Sequence, residues 1–202
     1  MRFPMFRIEI SLHRILRSIL IATLLILCTS FLRSDSAYAY VLYGFKWPGQ
    51  PAPGVCCAHI SYAKTSGQYL WDSQGWDDGV SAWNASPALV IFNQAGSANL
   101  TLAEANYSNV SWDGLSNINA MGTSISYATS WLNAFYTQPY NATRSQVQSI
   151  AAHELGHDLG LDHNSVGCQL MLRYTSDRWK VWGGCKVNTP QQDDINGVNS
   201  LY

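Results

Sequence analysis

Charge is scarce in this sequence. Its 202 residues include 12 Lys and Arg against 13 Asp and Glu, and no run or stripe of basic residues. That excludes a nucleic-acid partner or an anionic membrane surface engaged through a basic patch. A bilayer span of about 20 apolar residues is also lacking; the run Ile19–Leu27 is too short. There is no Cys-x-x-Cys pair, so a zinc site built from cysteines is not indicated. No internal repeat and no linker to a second domain interrupt the chain. Histidine is scarce too, at five residues, but three of them stand between positions 153 and 163.

The start of the chain is basic, with Arg2, Arg7, Arg14 and Arg17 ahead of the short apolar run, and Ala37-Tyr38-Ala39 fits a small-x-small cleavage site. Residues 1–39 therefore read as a secretory signal cleaved before Tyr40, with a retained N-terminal anchor as the alternative. Residues 40–202 are expected to be the mature domain, secreted and extracellular. It should have no stable membrane association after cleavage and be monomeric. Its 163 residues suffice for one core, and carry seven basic against eleven acidic side chains. Four cysteines remain, Cys56, Cys57, Cys168 and Cys185. An even number in an exported chain favours disulfides. A Cys168–Cys185 bond would close a 17-residue interval, worth about 3 kcal/mol in the chain-entropy account. Cys56 and Cys57 would then form a vicinal bond or stay reduced. The alternative ties both to the C-terminal pair, and spacing leaves the choice open.

The most informative stretch runs from Ala152 to His163. His153 and His157 are four apart, so a helix puts both imidazoles on one face, one turn from each other. Glu154 stands beside the first and can reach a water on a cation held by both. Gly160 tolerates a left-handed turn, which brings His163 back as a third nitrogen. Three nitrogen ligands with an open fourth position describe a catalytic zinc site. Thr143-x-x-Gln146 is a capping-box signature for a helix within residues 141–160. Val147, Ala151, Leu155 and Leu159 form its core stripe, with the histidines on the opposite side.

Elsewhere, residues 55–62 read as a first strand with Ala58, Ile60 and Tyr62 alternating, and His59 as a satisfied strand side chain. Residues 71–84 read as a helix that packs Trp76, Val80 and Trp83. Residues 89–92 and 100–103 are strand candidates. Trp112-Asp113-Gly114 is a turn in a Ser-, Asn- and Gly-rich interval, and residues 121–136 hold the last strands. Thr189 and Pro190 read as the N-cap and first position of a closing helix, with Asp193 and Asp194 suited to its dipole.

His153, Glu154, His157, Gly160 and His163 together match HExxHxxGxxH, and Met171 follows eight residues later. This resembles the metzincin metallopeptidases. The closing Asp193-Asp194-Ile195-Asn196-Gly197 through Leu201-Tyr202 is similar to the end of matrixin domains. The resemblance implies an α+β, zincin-like fold: a twisted, mostly parallel sheet on two long helices, with a small C-terminal subdomain ending in a helix. It implies a zinc-dependent endopeptidase for a protein or peptide substrate. One Zn2+ would sit on His153, His157 and His163, with Glu154 as general base and Met171 as an apolar floor beneath the imidazoles. Residues 173–186 would form the wall of the pocket for the residue after the scissile bond, with Trp179 and Trp182 either lining it or packing in the core. The interval where matrixins carry a structural zinc and calcium loop contains no histidine here, so calcium is not supported. Asn164 and Arg173 stand where matrixins usually have Ser and Pro. Tyr174 is one residue too far along for the switch tyrosine of some metzincins. Asp162 either orients His163 or caps a turn. No pro-segment stands between the signal and the first strand, so no cysteine switch is expected. The competing expectation, from another class, is a non-catalytic zinc-stabilised binding protein at the cell surface; the intact Glu154 argues against it.

Overall fold

The computed structural model describes residues 40–179 and 185–202. The signal segment and Trp182 lie outside them. In chain order the elements are β1 (Val41–Leu42), β2 (Ala58–Lys64), α1 (Leu70–Asn84), β3 (Val90–Gln94), β4 (Leu100–Ala105), β5 (Gly114–Met121) and β6 (Ser124–Asn133). Then come α2 (Ala134–Thr137), α3 (Arg144–Asp158), β7 (Leu161–Asp162), α4 (Thr175–Arg178) and α5 (Gln192–Leu201).

A five-stranded sheet has the order β3-β2-β4-β6-β5. Every pair is parallel except β5 with β6, which run antiparallel and leave β5 at the edge. Parallel neighbours need long crossovers; α1 lies in the one from β2 to β3, and α3 follows β6, the last strand of the sheet in chain order. The long helices pack on one another and on the sheet. Trp76 donates its indole N–H to the carbonyl of Ala103 on β4, and Trp83 donates its own to the carbonyl of Ala152 on α3. Both rings are fully buried, so these two tryptophans bind sheet and helices into one core, as their helical spacing predicts. The architecture is α+β with a mostly parallel sheet on two long helices.

Local signals account for much of this. Ala58, Ile60 and Tyr62 are buried at alternate positions of β2 while His59 points out, its ring 3.2 Å from Asn93. Thr143 caps α3 in a full capping box with Gln146. Three expectations need correction. The strand expected first, over residues 55–62, is the second: β1 precedes it, and it begins at Ala58 rather than Val55, with Cys56 and Cys57 bonded to each other ahead of it. Trp112-Asp113-Gly114 does not end in loop: Gly114 opens the eight-residue β5, whose Ser and Asn residues are poor strand formers held extended by pairing with β6. The closing helix is capped by Gln191, not Thr189. Asp194 sits at the third helical position and accepts the backbone N–H of Gln191 at 2.8 Å, which places the helix start two residues later. The second disulfide joins Cys168 and Cys185, their Cα atoms 5.4 Å apart. β1 pairs with β7, bringing the start of the described chain beside the residues that precede His163.

Candidate metal centre and its cleft

The helix α3 carries His153, Glu154 and His157 in its last two turns. It is buried almost all round from Ile150 to Asp158, not only along the expected stripe, because sheet, α1 and the C-terminal segment enclose it. Gly160 then turns the chain at φ +99°, a region that L side chains avoid. A Cβ there would lie 2.4 Å from the carbonyl oxygen of Phe45. Beyond the turn, His163 faces back toward the helix.

The Nε2 atoms of His153, His157 and His163 lie 3.1 to 3.2 Å from each other. Hydrogen bonds do not account for this convergence. His153 Nδ1 and His157 Nδ1 each stand 2.8 Å from a carbonyl, of Leu170 and Leu161 respectively. Carbonyl oxygens only accept, so His157 Nδ1 carries the proton. His153 Nδ1 also stands 3.1 Å from the Arg178 guanidinium, a donor, and the shorter contact with the Leu170 carbonyl places the proton on Nδ1 there too, so that both Nε2 atoms present lone pairs to the same point. Three tetrahedral corners at about 2.0–2.1 Å from a zinc ion would be separated by about 3.3–3.4 Å. The donor set and spacing therefore fit Zn2+. Among the described residues this is the cluster of His, Cys, Asp or Glu able to hold a metal. Burial lowers the pKa of all three imidazoles, that of His157 to about 4. Each is accordingly neutral, the form that binds a metal.

Glu154 shares a cleft of about 480 Å³ with the three histidines, Ser116 and Arg178. Burial pushes its carboxyl up to about 8, opposed by the hydrogen bond from Ser116. A divalent cation on the three nitrogens would act the other way and favour the carboxylate. A second cavity of about 650 Å³ adjoins it beyond His163, lined by Leu172, Arg173, Tyr174 and Cys185. Arg173 and Tyr174 border both cavities. Trp179 lines neither cavity and is half-buried elsewhere. Met171 is buried beneath the helix, its sulfur 2.4 Å from where a Cβ on Gly156 would stand. That glycine gives the methionine its place under the site. Asn164 N–H donates to the carbonyl of Met171 at 3.0 Å, closing the loop after the third histidine onto that methionine. Asp162 accepts the backbone N–H of His163 at 2.6 Å, and its oxygen is 3.9 Å from His163 Nδ1.

Sequence reasoning missed four polar contributors. Arg178 is 1% exposed, beside His153, and gives its protons to Ser149, Thr175 and the carbonyl of Leu172. Ser116, Ser130 and Asp158 form a chain of hydrogen bonds ending at Glu154. Asp158 follows Glu154 by four positions, so the helical period put it one turn away on the same face. The serines had no comparable signal.

The family model for matrixin matches residues 53–202. The chain belongs to the matrixin family, and with that its fold is that of the metzincins. Metalloendoproteinase 4-MMP of Arabidopsis thaliana is 45% identical over 56 residues, which is 28% of this chain and 15% of the length of that protein. Two solved structures are similar at low identity. High choriolytic enzyme 1, a hatching-enzyme zinc protease of the medaka fish Oryzias latipes, has a TM-score of 0.49 at 14% identity over 78% of this chain and 94% of that one. Myroilysin has a TM-score of 0.42 at 16% identity over 61% of this chain and 54% of that one.

Proposed function

We propose that this protein is a secreted zinc endopeptidase acting on peptide or protein substrates. The observation that carries the reading is the meeting of three imidazole lone pairs, two of them fixed by carbonyl acceptors, in a cleft that also holds Glu154. Membership of the matrixin family supports the same chemistry. His153, His157 and His163 would hold one zinc ion. When bound, zinc polarises the scissile carbonyl and acidifies a water.

Glu154 takes the proton from that attacking water and passes it to the nitrogen of the leaving amine. Adjacency in sequence puts its carboxyl in the same cleft as the His153 ring. Leu170 and Leu161 carbonyls keep His153 and His157 in the ligand tautomer, so neither imidazole competes for the proton. Met171 fills the space below with apolar volume and keeps water from that side.

Export is proposed from the basic and apolar start of the chain and its small-x-small site. Two disulfides accord with an oxidising compartment. Cleavage of a peptide library by the zinc-loaded chain 40–202, against the same chain with Glu154→Gln, tests the activity. Wild type should cleave and the variant should bind zinc yet lose at least about a hundredfold in rate. Zinc binding with no difference between the two would favour the non-catalytic binding protein.

A further inference from the structure

Ser116 on β5 and Ser130 on β6 are register partners in the antiparallel pair. Their hydroxyl oxygens are 2.7 Å apart. Ser116 donates to Glu154 Oε2 at 2.9 Å and lies 3.0 Å from the carbonyl oxygen of the same residue. Ser130 reaches both carboxyl oxygens of Asp158, at 2.9 and 2.8 Å. An unbroken line of short contacts thus runs from the buried end of α3, through two strands, back to Glu154. Ser130 and Asp158 are fully buried in a layer otherwise filled by residues such as Leu132, Ile150 and Leu155. Apolar side chains of similar size would serve stability there at least as well, because burying polar groups gains little even when they are paired. Among the described residues, Glu154 Oε1 accepts no hydrogen bond. The line therefore holds Oε2, while Oε1 faces Gly114, 2.6 Å from where a Cβ there would stand, and both residues border the cleft.

We propose that Ser116, Ser130 and Asp158 are positioning residues for hydrolysis, fixing Glu154 Oε2 so that Oε1 is the oxygen presented to the attacking water. The proposal rests on the reading of Glu154 as general base. Ser116 is the contact, Ser130 sets the Ser116 hydroxyl across the strand pair, and Asp158 anchors Ser130 from the next turn of the zinc-site helix. Because β5 is an edge strand, the same contacts pin it to α3 beside the cleft.

The test is steady-state kinetics of zinc-loaded wild type, Ser116→Ala, Ser130→Ala, Asp158→Ala and Asp158→Asn on one peptide substrate, with bound zinc and melting temperature measured on each. Ser116→Ala should lower kcat about tenfold to a hundredfold with KM changed less than about twofold and one zinc retained, since misorienting a reacting group costs rate rather than substrate binding. Ser130→Ala should move kcat the same way by a smaller factor. Each serine has one proton, so with Ser116 donating to Glu154 the Ser130 hydroxyl donates to Ser116 and accepts from the side chain at 158. Asp158→Asn keeps a donor there in its amide N–H, so it should recover most of the rate that Asp158→Ala loses. If Asp158→Ala does not fold, Ser116→Ala and Asp158→Asn decide the matter. Wild-type kcat in both serine variants, whatever their melting temperatures, would reduce the chain to a structural clamp and overturn the proposal. So would loss of bound zinc in Ser116→Ala, or Asp158→Asn as slow as Ser116→Ala. A wild type that binds zinc and cleaves nothing would remove the hydrolase reading and this one with it. An active wild type with unimpaired serine variants would remove this one alone.

Discussion

Asp194, in the first turn of α5, accepts the backbone N–H of Met171 at 3.1 Å. The same carboxylate takes the N–H of Leu170 at 2.9 Å and of Gln191 at 2.8 Å. Leu170 in turn supplies the carbonyl that orients His153. The closing helix is thereby joined to the metal centre through one side chain. Asp194→Ala leaves three N–H groups without their acceptor, two of them in the interior. It should cost about 3–5 kcal/mol in urea unfolding. Zinc affinity, read by competition with a chromogenic chelator, should fall about tenfold to a hundredfold as the Leu170 carbonyl loosens. Wild-type affinity in a folded variant would contradict this.

Gly160→Ala should destabilise the fold by about 2–4 kcal/mol, combining the left-handed backbone penalty with a clash against backbone. The atom it meets is the carbonyl oxygen of Phe45, which cannot rotate aside as a side chain would. Urea midpoints of wild type and variant measure it, and an unchanged midpoint would refute it.

Zinc should stabilise the folded chain by mass action, independently of any catalysis. At a free concentration one hundred times Kd the gain is about 2.7 kcal/mol, which for a domain of this size is about 5–11 °C in Tm. A chelator should reverse the shift, and His163→Ala should abolish most of it. Equal zinc shifts in wild type and His163→Ala would show that the third imidazole is not a ligand.

Away from the cleft, Asp72 and Glu104 make stability depend on pH. Asp72 is buried, and its Oδ1 has no hydrogen-bond partner among the described residues. Burial raises both carboxyls, and Glu104, with Asp72 as neighbour, reaches about 7. A folded pKa above the unfolded one means that the protonated form is favoured by folding. The contribution is therefore complete below about pH 4.5 and is lost as pH rises through about 7. Glu104→Gln keeps an acceptor for the Tyr69 N–H and offers Asp72 a permanent donor. Urea unfolding from pH 5 to 8 should show wild type losing stability that the variant retains. Parallel curves for the two would count against the pair.

Local signals served where the physics was local. The spacing of His153 and His157, the Thr143–Gln146 capping box, the alternation in β2 and the tryptophans of α1 all follow from chain periodicity, and each stands where that periodicity put it. β5 was illegible because Ser, Asn and Gly have no preference for strand; its conformation comes from β6. The start of α5 was misplaced because Thr189 and Pro190 are good capping residues, while the decisive carboxylate of Asp194 is held by Leu170 and Met171 from another part of the chain.

By itself the sequence determined which side chains form the candidate centre and that two of them share a helix face, since helical period and a glycine turn need no distant partner. Tertiary structure alone decided which carbonyls set their tautomers, which hydroxyl meets Glu154, and that an arginine lies beside His153. Those relationships join residues far apart in the chain, and strand register and helix packing, which sequence spacing does not encode, bring them within hydrogen-bond reach.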